Sequence, residues 1–159
     1  MEPWHSLSRE LNRILGGIMK RILLVATLAV VAASVAHAET SDRYSAGGAY
    51  KPYQEAIQRN NASGELFRIR GSCASNCTLF LGLNNACVER NARLLFHAGH
   101  DRDNPKVINA VATQRMLAAY NGKLRQYVVT NGYMEKLSFS SIAGARIIDE
   151  FGYKECPRK

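Results

Sequence analysis

The stretch Glu65-Leu66-Phe67-Arg68-Ile69-Arg70 reads as a strand that runs into Gly71-Ser72-Cys73-Ala74-Ser75-Asn76-Cys77 and then into an apolar run from Thr78 to Leu83. Phe67 and Ile69 fall on one face and Arg68 and Arg70 on the other, the period of two that a half-buried strand shows, with only Leu66 out of pattern. Ser75 to Leu83 reads as a short buried helix that Asn84-Asn85 ends. A further strand, Ala92 to His97, is apolar on both faces, as in a covered parallel sheet. Strand, tight turn, helix and strand in that order leave few topologies, chiefly an α/β unit with a right-handed parallel crossover. Ligands of such sheets sit at the carboxyl ends of the strands, where the Gly71–Ser75 turn and His97 both fall.

The rest of the chain supplies covering helices. Glu39 to Gly48 is a polar, glycine-bearing entry. Tyr50, Tyr53, Ala56 and Ile57 recur at helical spacing, with Pro52 acceptable in a first turn and Asn60 to Gly64 as the stop. Cys87-Val88 suggests a short strand and Arg90-Asn91 a turn. Ala98 to Pro105 is a polar loop. Lys106 to Thr130 carries one long apolar stripe and predicts one helix, broken at Asn131-Gly132 or earlier at Gly122. Ser140 or Ser141 is placed to cap a last helix running to about Phe151, with Gly152 as its stop.

Met19-Lys20-Arg21, the apolar run Ile22–Val35 and the Ala36-His37-Ala38 cleavage signal read as a secretory signal peptide over residues 19–38. The apolar run is short for a membrane span, which takes about 20 residues. Residues 1–18 are an upstream start artefact or a longer charged leader. Residues 39–159 then form a single domain with no transmembrane span, periplasmic or secreted. Removing residues 1–38 takes away Arg9, Arg13, Lys20 and Arg21 against Glu2 and Glu10, so the net charge of +8 becomes +6. No basic run stands out and no aromatics are interleaved with the cations, so a solvated basic surface is favoured over a nucleic-acid site. Cys73, Cys77, Cys87 and Cys156 all lie in the exported part. The compartment favours disulfides over a metal, and three pairings are open. A zinc site would need two further well-placed ligands.

Ser75, at a tight turn before a helix, occupies a place where free backbone N–H groups favour developing negative charge. His97, at the end of the next strand, can return beside it, and a histidine next to a serine is the arrangement of an activated nucleophile. Each also has a structural reading: Ser75 as a helix cap or a small residue for close packing, and His97 as a strand-end side chain bonded to backbone. His97, His100, Asp101 and Asp103 read as a polar turn rather than a metal cluster. No phosphate loop, dinucleotide fingerprint or haem motif occurs, and no cofactor is expected.

Ser45-Ala46-Gly47-Gly48, GSCASNCTLFLGL and ARLLFHAGH together resemble the Clp protease proteolytic subunit, of the crotonase-like superfamily. They resemble still more a group of small exported bacterial proteins with a C-x-S-x-C turn. Gly48 to Ser75 is 27 positions and Ser75 to His97 is 22, close to the family's spacing and slightly short. The resemblance covers about Ser45 to His97 well and the C-terminal third loosely. It implies a small parallel-sheet core with covering helices, truncated at the N-terminus. It makes Ser75 the nucleophile, His97 the general base, and Gly47 and Gly48 the oxyanion-forming glycines, with Asn76 beside them. The family's acid belongs near Asn131-Gly132, where no aspartate stands. Asn131 takes that place, and Glu135, Asp101 and Asp103 are the nearby carboxylates. The implied function is a serine hydrolase, peptidase-like, acting on a peptide or acyl substrate. The alternative is a non-catalytic binding or assembly module that kept the fold. Family members commonly form rings, so a homo-oligomer is compatible with either.

Overall fold

The strand expected over 65–70 is confined to Phe67–Ile69, and after Gly71 a second strand forms at Ser72–Ala74, where a tight turn was expected. Gly71 adopts a left-handed φ of +59°, a conformation glycine enters without steric cost. The chain therefore forms β1 (Phe67–Ile69) and β2 (Ser72–Ala74). The partner segment breaks at the same level into β3 (Ala86–Val88) and β4 (Arg93–Phe96). In the computed structural model, which describes residues 38–158, β1 pairs parallel with β3 and β2 pairs parallel with β4. The break is bridged by the Glu89 N–H to the Ile69 carbonyl (2.9 Å) and the Arg93 N–H to the Gly71 carbonyl (2.7 Å). The signal peptide expected over 19–38 and the leader over 1–18 lie outside the described residues, apart from Ala38. No helix of the described residues is long and apolar enough to cross a membrane.

The result is a small mixed α/β domain with two small sheets, partly parallel. In the second sheet β5 (Ser140–Ala143) runs antiparallel to β4, with Leu94 opposite Ile142. This corrects the expectation that Ser140 or Ser141 caps a helix. Ile142 is buried between exposed neighbours, which is strand alternation. The helix starts only at Gly144, α4 being Gly144–Asp149, because a Cβ at Gly144 would lie 2.1 Å from the Glu89 carbonyl oxygen and the backbones touch. The first helix, α1, is Tyr50–Ser63, ended by Gly64 at φ +69°. The helical stretch expected over 106–130 is two helices, α2 (Ala110–Ala118) and α3 (Gly122–Thr130), interrupted just before Gly122, the earlier of the two breaks the sequence offered. Asn109 caps the first by accepting from the Ala112 N–H, and Asn121 caps the second by accepting from the Leu124 N–H. Between them the Ala119 backbone packs so closely on Gly82 that a Cβ there would sit 3.0 Å from its carbonyl.

Ser75–Gly82 is a 3-10 helix, with Cys77 to Leu81 buried. Its length exceeds the usual three or four residues of that tighter winding. Two disulfides, Cys73–Cys77 and Cys87–Cys156, use all four cysteines and select one of the three pairings. The core lies where Phe80 of the 3-10 helix meets Phe67 of β1 at 4.3 Å between ring centroids, with Tyr44 and Tyr53 closing round them. Phe67 and Phe80 are wholly buried, worth about 1.5–3 kcal/mol each as area removed from water. On the other side Phe96 meets Tyr120 edge-on at 5.4 Å. Both flanks of the β1–β3 pair are covered. Glu39 and Ser41 bond the Arg68 backbone, and Lys154 and Cys156 bond that of Val88.

Candidate active site

Ser75 joins β2 to the 3-10 helix at φ +55°, the one non-glycine residue with positive φ among those described. A side chain held there costs about 1–3 kcal/mol and persists only where its surroundings impose it. Four contacts impose it here. The Cys73–Cys77 bridge spans the turn. The Ala74 N–H bonds the Ser45 carbonyl at 2.8 Å. The Thr78 hydroxyl donates to the Ser75 carbonyl at 2.7 Å and in turn accepts from the buried Tyr120 hydroxyl at 2.6 Å. From above, Gly47 packs so closely that a Cβ on it would fall 2.7 Å from the Ser75 Cβ.

The end of β4 brings His97 to this serine. Its Nε2 lies 2.7 Å from the Ser75 Oγ. The loop that follows is fixed on both sides, the Ala98 N–H bonding the Lys136 carbonyl and the Gly99 N–H bonding the Thr113 hydroxyl. His97 is 5% exposed, with Phe139 packed edge-on against its ring at 4.6 Å between centroids. Burial pushes the imidazole below its ordinary value of 6.5, and the neighbouring His100 pushes it the same way. A ring whose value lies below 6.5 is mostly neutral at pH 7, and able to accept a proton there.

The far side of the ring is less complete. His97 Nδ1 is buried with no hydrogen-bond partner among the described residues. The Leu137 backbone carbonyl favours a proton on the ring but does not reach hydrogen-bond geometry with Nδ1. Asn131, the residue expected there, ends α3, and its amide donates to the Tyr127 carbonyl at 2.8 Å. Asp101 is committed to its own loop, accepting from the Asp103 and Asn104 N–H groups, which hold it below the usual carboxylate range. Neither Asp103 nor Glu135 reaches the ring.

The expected oxyanion residues divide into two roles. The Gly47 N–H is engaged by the Tyr44 carbonyl at 3.2 Å, so Gly47 contributes close approach rather than a donor. The Gly48 N–H has no hydrogen-bond acceptor among the described residues, and the Asn76 N–H stands in the first turn of the 3-10 helix, where backbone donors lack an intrahelical partner. The Asn76 amide ties the two together by donating to the Gly48 carbonyl at 2.6 Å. Backbone donors at Gly48 and at Asn76, the latter next to a serine bonded to an imidazole, are the kind of group that stabilises an oxyanion. Gly48, Ser75 and Asn76 open onto a cleft of about 1060 Å³, whose far wall is the start of α2.

Thr78, Tyr120 and Phe139 were not expected at the site. Thr78 and Tyr120 are apolar-run and helix-stripe residues in the sequence. Phe139 stands in a short polar stretch with no periodicity to mark it. Compared with protein-family models, with curated proteins and with solved structures, the chain matches none.

Proposed function

We propose that residues 39–159 form an exported serine hydrolase, peptidase-like, built on a Clp-protease/crotonase-like core, with Ser75 as nucleophile and His97 as general base. The observation that carries this reading is the 2.7 Å contact between Ser75 Oγ and His97 Nε2 at a turn held in a left-handed conformation. The disulfides and the cleavage signal support a periplasmic or secreted location.

In this reading the Ser75 oxygen attacks a substrate carbonyl while its proton passes to Nε2 of His97. The negative charge that develops on the carbonyl oxygen is met by the Gly48 and Asn76 N–H groups. The carbonyl then re-forms, the bond to the leaving nitrogen or oxygen breaks, and His97 returns the proton to that atom. Water, deprotonated by the same imidazole, releases the acyl group from the serine. Removing one oxyanion donor typically costs about 3–4 kcal/mol.

The orphan Nδ1 favours a second reading, a non-catalytic binding or assembly module. For Ser75 to donate to Nε2, the ring must carry its proton on Nδ1. A buried N–H without a partner costs about 1–3 kcal/mol.

Labelling of the oxidised 39–159 domain with a neutral alkyl fluorophosphonate separates the two. A hydrolase labels at Ser75 and loses labelling in Ser75→Ala and in His97→Ala. Asn131→Ala keeps labelling within about threefold, because that amide serves the end of α3. A folded domain that does not label is the module.

A further inference from the structure

The cleft beside Ser75 is charged in one sense only. Lys51, Arg102 and Arg115 line it, and no carboxylate does. Lys51 comes from the first turn of α1, Arg102 from the loop after β4 and Arg115 from α2, so the three charges approach from three elements. Arg115 is set in place, its guanidinium stacked over the Tyr50 ring at 4.0 Å from the centroid. It has no ion-pair partner among the described residues, and neither has Arg102. Lys51 has only a 4.0 Å contact with Glu55, both exposed. Away from the cleft, Arg68, Arg70, Arg90 and Arg146 each meet a carboxylate.

Between the charges the lining is mixed, with His100, Asn76 and Asn109 beside a larger apolar share. Val111 is exposed at the mouth, and Met116 and Pro52 line the cleft. A cleft of about 1060 Å³ exceeds what one small acyl group fills. Separated cations alternating with apolar surface suit an extended chain that carries both acidic and apolar side chains. A polysaccharide would call for open aromatic faces, and the Tyr50 face is occupied by Arg115.

We propose that this cleft is the substrate groove of the Ser75 site and that it takes acidic peptides, with glutamate or aspartate side chains meeting Arg115 and its two neighbours. The proposal rests on the hydrolase reading for the direction of the chain past Ser75, but binding itself does not require catalysis.

The test therefore uses Ser75→Ala in the disulfide-bonded 39–159 domain, with two fluorescein-labelled octapeptides, Ala and Glu alternating in one and Ala and Gln in the other. Anisotropy titration in low salt gives the two affinities. The Glu peptide is expected to bind at least tenfold tighter, with the advantage falling severalfold in Arg115→Gln and again between 20 mM and 300 mM salt, as exposed ion pairs are screened. The Gln peptide serves as the control for folding, since Arg115 is exposed and its exchange leaves the walls intact. Equal affinity for the two peptides overturns the proposal. So does tight binding of polygalacturonate with no preference between the peptides, which would make the cleft a polyanion site. Neutral fluorophosphonate labelling of the wild-type domain, run beside it, reports on the hydrolase reading alone. Labelling without peptide discrimination sinks the groove and keeps the enzyme. Discrimination without labelling keeps the groove and sinks the enzyme.

Discussion

His97 is where burial, charge and geometry meet, and its behaviour with pH follows from them. Desolvation, then the charge of His100, place its folded value below 6.5. A base with a depressed value stays unprotonated further into acid, so the acidic limb of fluorophosphonate labelling is expected below pH 6.5. A limb at or above that value contradicts the assignment. Stability carries the same sign. Between the folded value and 6.5 the unfolded chain binds the proton more readily, so stability rises with pH across that window and is lost as pH falls through it. Phe139→Ala, by wetting the ring, moves the limb upward toward 6.5. The sequence made the pairing of Ser75 with His97 readable, because a strand-end residue returns beside a strand-to-helix turn in a parallel crossover. It could not show what lies behind the imidazole. Asn131 stands near the expected place in the chain, yet its amide is taken up by the last turn of its own helix. That competition depends on side-chain direction, which spacing does not encode.

The turn that carries Ser75 is an assembly of neighbouring elements, and Gly47 is its tightest point. Alanine there meets two obstacles, a φ of +75° and a Cβ 2.7 Å from that of Ser75. Gly47→Ala is expected to lose about 1–3 kcal/mol in denaturant unfolding. It should also slow labelling by at least tenfold, since a shift of about 1 Å at a nucleophile costs up to about a hundredfold. A variant of unchanged stability and reactivity would mean that the entry loop moves aside freely. The elements themselves were legible where one period ran unopposed, as in α1, or where an apolar run had clear ends, as in the 3-10 helix. They were misread where a backbone contact interrupted a continuing pattern. The apolar stripe of 106–130 continues through the Ala119–Asn121 break, so Gly122 alone marked it in the sequence, and the contact with Gly82 accompanies it. Likewise Ser140 and Ser141 are good helix caps by type, but β4 offers them a strand partner first.

Across the whole molecule the two disulfides act over different lengths of chain. Cys87–Cys156 joins residues 69 apart and Cys73–Cys77 joins residues 4 apart. Loop-closure entropy assigns them about 4 and about 2 kcal/mol. The Cys87→Ser/Cys156→Ser pair should therefore lower the unfolding midpoint more, while Cys73→Ser/Cys77→Ser costs less stability and more labelling, because its bridge spans the serine turn. Equal effects on both readouts would show that the short bridge has no separate part in holding the site. The pairing was closed to sequence reasoning because it depends on the C-terminal segment returning to β3. That return has a further consequence. The N-terminal segment lies along β1 and the C-terminal one along β3, so the small parallel sheet presents no bare row of N–H and C=O groups over Arg68 and Val88. A strand from another molecule finds no template on that sheet. Copies of this domain that gather there must do so through side chains, which makes such association adjustable by single surface substitutions and shields the sheet from fibre growth.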